Sequence, residues 1–139
     1  MQKKNNYFKK RNKSFKVSNN ILLSFKYAFN GINYCFLYTR NFKIQLYFAI
    51  AILLLTFIFN LRLYEYLIIC STILSVLILE LLNTSIESLV DLIVEKRFSK
   101  LARISKDCSA GAVLLAAINS IFVAGFIFIP KIKLFMQNL

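Results

Sequence analysis

Three long apolar runs limit the folds that this chain can adopt. They are Ile44–Phe59, Leu63–Leu82 and Ser109–Ile129. Each is near the roughly 20 residues that an α-helix needs to cross the hydrocarbon core of a bilayer, once Phe42 and Leu61 extend the first. A soluble domain of 139 residues, of which 58% are hydrophobic, has too small an interior to hide runs of this length. The runs therefore predict an all-α integral membrane protein with three transmembrane helices.

An amphipathic pattern precedes the first run. Between residues 18 and 39, apolar side chains recur at spacings of three and four, which places them on one face of a helix. A basic helix of this kind lies in the membrane interface. Residues 1–17 are rich in Lys and Asn without such a period and predict a solvated basic tail. The apolar face comprises Ile21, Phe25, Phe29, Ile32 and Phe36.

Together these segments predict a single membrane domain over residues 1–139, with the surface helix at 18–39. The predicted transmembrane helices are 42–61, 63–94 and 106–130. The second of them extends beyond the membrane on the cytoplasmic side. Pro130 is expected to end the third, because proline removes a hydrogen-bond donor and clashes with the preceding turn.

The distribution of basic residues predicts how the helices are oriented. Of the 18 Lys and Arg residues, ten lie in the first 43 positions and five lie between Lys96 and Lys106. Since Lys and Arg concentrate in cytoplasmic loops, the N-terminus and the second loop are predicted to be cytoplasmic. A net charge of +12 is also typical of nucleic-acid binding. Here the charges flank apolar runs, which favours an anionic membrane surface and no nucleic acid.

A polar stripe on the second predicted helix carries the candidate chemistry. Glu80, Asn83, Glu87 and Asp91 are spaced by 3, 4 and 4 residues, so they share one face within roughly 80°. Carboxylates in such a helix are either functional or paired with another helix. Oxygen ligands suit Mg²⁺, which recruits phosphates, and a second carboxylate can accept a proton from an alcohol. The stripe therefore predicts phosphoryl transfer, with a structural pairing role as the alternative.

Lys106 and Asp107 open the third helix on the same predicted side. Lys106 suits a phosphate contact or is one more cytoplasmic charge, and Asp107 also suits the helix dipole. The sequence contains neither a P-loop nor a Gly-x-Gly-x-x-Gly motif, so a nucleotide site must be built from helix ends and side chains. It has no His, which excludes histidine chemistry, and its three Cys lack metal spacing and predict free buried thiols.

Small residues repeat every fourth position in the third helix. This spacing lets helix backbones approach closely and indicates a packing or oligomer seam, or else a chance pattern in an Ala-rich helix. The residues are Ala112, Ala116, Ser120 and Ala124.

Two longer motifs resemble the prokaryotic diacylglycerol kinase and undecaprenol kinase family. Glu80–Glu87 with Val90-Asp91 is similar to the signature E-(h)-(h)-N-(S/T)-A-I-E-x-x-V-D, and Lys106–Leu114 is similar to K-D-x-A-A-G-A-V-L. Phe25-x-x-Ala28-x-x-Gly31 resembles the motif of the family's surface helix, and Arg40–Ile44 resembles the start of its first membrane helix. The resemblance covers about residues 24–130.

The resemblance implies a homotrimer that transfers the γ-phosphate of ATP to a lipid alcohol with Mg²⁺, in the bacterial cytoplasmic (inner) membrane. It implies that Glu80 is the base that deprotonates the lipid hydroxyl, that Glu87 holds the metal, and that Asn83 orients groups around them. The positions that match nucleotide contacts are Tyr27, Lys106 and Asp107. Active sites would be shared between neighbouring chains.

This chain departs from the family pattern at two positions. Thr39 stands where the family has a metal-binding Glu, and Gln45 replaces a frequent His. Fewer charged ligands weaken binding of a hard cation. The leading hypothesis is therefore a kinase acting on undecaprenol or diacylglycerol, with the compact chain favouring undecaprenol. A weakened or inactive family member and a small membrane transporter are the alternatives.

Overall fold

The computed structural model describes residues 21–95 and 97–137. These residues form helices and no strands, which confirms the all-α fold class. The predicted basic tail at 1–17 and the first residues of the predicted surface helix lie outside the described ranges. The described helices are α1 (Ile21–Tyr38), α2 (Arg40–Ile58), α3 (Leu63–Val94) and α4 (Lys100–Gln137).

Helices α2, α3 and α4 are long and apolar enough to cross a membrane. They contain 19, 32 and 38 residues, and the mean hydropathy of their most apolar windows is 1.8, 2.1 and 2.5. Between 17% and 28% of each window is buried within the chain, so most large apolar side chains face outward. A soluble surface rarely carries so much contiguous apolar area, whereas lipid accepts it. The prediction of three transmembrane helices is confirmed.

The chain divides into two compact units between Ile32 and Asn33, within α1. In the described part of the first unit, the side chains of the predicted apolar face are exposed, with Ile21 at 74% and Phe29 at 68%. In the second unit, Cys35 is buried. That α1 lies on a membrane surface stays a prediction.

A tight turn joins α2 to α3 and makes them antiparallel neighbours. Asn60 adopts the left-handed conformation with φ of 45°, which asparagine tolerates better than most residues. The turn is closed by the Leu61 amide, which donates to the Thr56 carbonyl at 3.1 Å. The Glu65 carboxylate then accepts a hydrogen bond from the Arg62 backbone amide at 2.7 Å. An acidic side chain here satisfies a free donor of the first turn and complements the helix dipole.

The apolar core of the second unit lies near this turn. Helix α3 packs most extensively on α4 and less on α2. Ile69 of α3 is buried together with Ile127 and Phe128 of α4. Ile69 lies in the first two turns of α3, so the second half of α3 is left for the polar stripe.

The prediction that Pro130 ends the last helix is wrong, because α4 continues through it to Gln137. Membrane helices tolerate proline where neighbouring groups compensate for the lost backbone bond. The continuation is held by aromatic packing, since the Phe59 ring lies 5.9 Å from both Phe128 and Phe135, in edge-to-face geometry. Contacts of this kind add to the free energy of burying the rings.

An ion pair also holds the end of α4. Lys131 Nζ lies 2.9 Å from Glu65 Oε2, and both side chains are largely shielded, at 23% and 14% exposure. Since Glu65 opens α3 and Lys131 follows Pro130, the pair ties the extended end of α4 to the start of α3.

Replacing Lys131 should therefore destabilise the fold. Lys131→Met leaves the Glu65 carboxylate shielded without its cation, which costs more than the pair itself contributes. We expect a lower midpoint of thermal unfolding in detergent than for the exposed control Lys133→Met. Adding Glu65→Gln should recover part of the loss. Equal midpoints for the two single variants would show that the pair does not hold α4.

Candidate active site

The polar stripe runs along α3 from a buried end to an exposed end. Glu80 and Asn83 are buried, with 2% and 6% exposure. Glu87 is partly buried, and Asp91 is exposed. From Glu80 to Asp91 the helix rises by about 16 Å. The stripe therefore connects the interior of the helical bundle with its surface.

Glu80 is a buried carboxylate whose described partner is an amide. Gln45 of α2 donates from Nε2 to Glu80 Oε2 at 3.1 Å. None of the ion pairs among residues 21–95 and 97–137 includes Glu80. Burying a carboxyl group without a cation is costly, and one neutral hydrogen bond offsets only part of that cost. A buried carboxylate in a membrane helix is therefore a candidate functional group.

Asn83 links α4 to the stripe. Ser109 of α4 donates from Oγ to Asn83 Oδ1 at 2.6 Å, and Asn83 Nδ2 donates to Glu87 Oε1 at 3.0 Å. The Ser109 hydroxyl also lies 2.9 Å from the Lys106 carbonyl of its own helix. Because the Glu87 carboxylate only accepts, it fixes the amide nitrogen of Asn83 toward Glu87, and the Ser109 hydroxyl supplies a donor for the amide oxygen.

The sequence alone does not identify Ser109 as a site residue. It lies at the start of an apolar run, where a single hydroxyl is easily taken as a helix residue that bonds its own backbone. Its spacing of three from Lys106 places both on one helix face, which was the available signal. The family motif that this segment resembles has Ala at this position, and an Ala side chain could not make this hydrogen bond.

The two predicted nucleotide-contacting residues of α4 have different surroundings. Lys106 forms an ion pair with Asp91, which brings its ammonium group to the exposed end of the stripe. Asp107 pairs with Arg103 one turn earlier at 3.7 Å, and both side chains are more than 70% exposed. Such a surface pair contributes little to stability. Tyr27 belongs to the first unit, and its predicted nucleotide contact stays a prediction.

Thr39 directly precedes α2, and its side chain makes no capping hydrogen bond to that helix. Its hydroxyl donates to the Cys35 carbonyl at 2.8 Å. The lone pairs of this neutral oxygen are not used in that bond. Burial raises the pKa of the Cys35 thiol; a hydrogen bond with Thr84 lowers it, and the Glu80 charge raises it. Cys35 therefore lies beside the buried end of the stripe, with the pKa of its thiol raised above the ordinary value.

The cysteine prediction is only partly right. All three described thiols are free, but Cys35 alone is buried, Cys70 is intermediate and Cys108 is exposed.

The donor set fits a cation that arrives with phosphates. Among residues 21–95 and 97–137, no group of three or more Asp, Glu or Cys side chains is placed to hold a metal ion. Mg²⁺ commonly binds through one or two carboxylates together with substrate phosphates and water. A partly exposed Glu87 beside the Asn83 amide suits that arrangement better than a cage of protein ligands.

This chain is similar to known proteins over most of its length. The model of the family "Prokaryotic diacylglycerol kinase" matches residues 26–128, which include all the stripe and the residues of α4 that contact it. The chain belongs to this family. A diacylglycerol kinase of Synechocystis sp. is 41% identical over 122 residues, which cover 88% of this chain and 70% of the relative. An undecaprenol kinase of Bacillus subtilis is 40% identical over 114 residues, covering 82% and 92%.

The Ser109 hydrogen bond can be tested by Ser109→Ala. The substitution leaves the buried Asn83 Oδ1 without its donor, which should destabilise the protein by about 1–3 kcal/mol. The measurement is equilibrium unfolding in detergent. The matched control is Ser120→Ala, because the described acceptor of Ser120 is the Ala117 carbonyl of its own helix, at 2.8 Å. If the two variants are equally stable, Ser109 does not hold Asn83.

Proposed function

We propose that this protein is a membrane lipid kinase that transfers the γ-phosphate of ATP to the hydroxyl group of undecaprenol or diacylglycerol. The observation that carries the proposal is the buried Glu80 carboxylate, whose partner among the described residues is an amide and not a cation. Family membership supports lipid phosphorylation as the reaction class. The orientation of the stripe supports a site that the lipid reaches from the bilayer and the nucleotide from the exposed end.

Three residues of the stripe have a role in this reaction, together with Lys106, Asp107 and Tyr27. The lipid oxygen attacks the γ-phosphorus, the bond from that phosphorus to ADP breaks, and Glu80 takes the hydroxyl proton as general base. Asn83 orients Glu87, and Glu87 would hold Mg²⁺. That cation neutralises charge on the phosphates when bound. Lys106, already at the exposed end of the stripe, is the proposed phosphate contact. Asp107 and Tyr27 are the proposed nucleotide contacts.

The proposed orientation of the helices in the membrane places the exposed end of the stripe on the side of the nucleotide. With the N-terminus and the α3–α4 connection in the cytoplasm, Glu87, Asp91 and Lys106 lie on the side where ATP is present. The excess of Lys and Arg in these segments supports this sidedness. We propose the bacterial cytoplasmic membrane as the location.

We also propose a homotrimer, with sites shared between neighbouring chains. Its support is the apolar surface that α2–α4 leave exposed. The row of small residues on α4 also packs within one chain, because Ala116, Ser120 and Ala124 are partly buried there, whereas Ala112 is exposed. Undecaprenol is the preferred acceptor, because the match covers 92% of the compact undecaprenol kinase and 70% of the longer diacylglycerol kinase.

The proposal is tested by phosphate transfer from labelled Mg-ATP in detergent micelles, with undecaprenol and diacylglycerol offered separately. We expect transfer to one lipid, reduced roughly 10²-fold or more in Glu80→Gln, since a general base contributes at least that much. Glu87→Gln should also lose transfer. Glu95→Gln is the matched control, because Glu95 lies exposed at the end of α3.

Transfer that survives in Glu80→Gln would remove that residue from the chemistry. Absence of transfer to both lipids by folded protein, together with cation flux into liposomes without ATP, would replace the kinase with a transporter.

A weakened kinase is the second candidate, and Thr39 is the observation that favours it. A neutral hydroxyl that already donates to the Cys35 carbonyl replaces a charged ligand. Thr39→Glu should therefore lower the Mg²⁺ concentration at half-maximal rate by roughly tenfold, as typical for groups that support a metal. Thr39→Gln, which adds length without charge, should not. If Thr39→Glu changes neither metal affinity nor rate, position 39 does not limit this enzyme.

A further inference from the structure

The side-chain amide of Gln45 is hydrogen-bonded at its nitrogen but not, among the described groups, at its oxygen. Its Nε2 donates to Glu80 Oε2, whereas its Oε1 is buried and has no hydrogen-bond partner among the described groups. The Glu80 carboxylate determines which way the Gln45 amide points. In the flipped orientation two acceptor oxygens, Gln45 Oε1 and Glu80 Oε2, would face each other. Leaving a buried acceptor unpaired is costly, and native structures rarely retain one without a reason.

The unpaired oxygen belongs to a residue that lines a cavity of about 300 Å³ between α2, α3 and α4. This volume lies at the lower end of the range for ligand sites. The lining is almost entirely apolar and includes Ala49, Ile52, Ile69 and Val76. Along α3 the lining extends from Ile69 to Leu77, a rise of about 12 Å that ends one turn before Glu80.

The other polar side chains of the lining are already satisfied. The Thr72 hydroxyl donates to the Ile69 carbonyl and the Ser120 hydroxyl to the Ala117 carbonyl, each at 2.8 Å and within its own helix. Gln45 therefore supplies the acceptor that is still open, and it does so at the end of the cavity that adjoins the proposed base. An apolar slot with a polar group at one end matches an amphiphile with a terminal hydroxyl.

We propose that Gln45 positions the acceptor lipid: its Oε1 accepts a hydrogen bond from the lipid hydroxyl in the bound ground state, while its Nε2 holds Glu80 beside that hydroxyl. The start of the apolar chain enters the cavity. This inference rests on the proposed kinase function. Proton transfer then requires only that the hydroxyl rotates about its C–O bond from Gln45 Oε1 to Glu80. Gln45 is thus a positioning residue, whose effect falls mainly on the KM for the lipid.

A histidine can replace Gln45 in this role. A neutral imidazole carries one N–H donor and one acceptor nitrogen, the same pair that the amide presents to Glu80 and to the lipid. Gln45→His should therefore preserve lipid positioning, whereas Gln45→Leu, of similar size and without polar atoms, should abolish it.

The test compares 1-dodecanol with its methyl ether, which has the same chain but cannot donate a hydrogen bond. Native mass spectrometry of the detergent-solubilised protein measures how the two probes compete at equal concentration. We expect wild type and Gln45→His to prefer the alcohol by roughly fivefold, the order of one neutral hydrogen bond. Gln45→Leu should show no preference. Asn119→Leu, the same amide-to-leucine change at an exposed site of α4, should keep the wild-type preference.

Kinetics give a second readout. In Gln45→Leu the KM for the lipid should rise about fivefold or more while the KM for ATP stays unchanged, and Gln45→His should restore it. The inference is overturned if neither probe binds, if wild type does not prefer the alcohol, or if Gln45→Leu keeps the preference. Alcohol preference that depends on Gln45 in a protein without phosphate transfer would support the lipid site and overturn the kinase instead.

Discussion

The burial of the Glu80 carboxylate inside an apolar helix is the constraint on which the rest of this site depends. The group needs polar neighbours, and those neighbours have to come from other helices because its own helix has already used its backbone donors. Gln45 of α2 supplies one such contact at 3.1 Å. A second polar contact, from Ser109 of α4 to Asn83, lies one turn further along α3. The same side chains that reduce the cost of burial therefore also align the three helices.

The opposite end of α3 is stabilised by different means. There the core is apolar, around Ile69, and the contacts that close it are the edge-to-face aromatic rings and the Glu65–Lys131 pair. This end has no polar stripe and carries the rigid packing. A division of this kind is favourable for catalysis, because a site positioned by packed helices is held more firmly than one on loops. The apolar packing and the proposed chemistry thus occupy different halves of the same helix.

The elements that could be predicted from the sequence are those fixed by local pattern. Hydropathy identifies α2, α3 and α4, because lipid imposes a minimum length on each. The spacing of Glu80, Asn83, Glu87 and Asp91 places them on one face whatever α3 packs against. The pairing of Asp107 with Arg103, four residues apart on α4, could also have been predicted from the sequence. The contacts of Gln45 and Ser109 and the continuation past Pro130 depend on contacts between helices. No periodicity in a single sequence encodes those contacts.

The departures from the family pattern are connected through this geometry. Thr39 removes a charge from the predicted metal ligands, whereas Ser109 adds a hydroxyl where the family motif has Ala. That hydroxyl does not replace the lost charge, because a neutral donor to Asn83 orients the amide without attracting a cation. What it supplies is a fixed Asn83 and, through the 3.0 Å bond to Oε1, a fixed Glu87. A site with fewer charges and more fixed side chains relies on orientation in place of metal affinity. In the proposed kinase, the charge lost at Thr39 should therefore act on the affinity for the cation, because orientation acts only on the bound complex.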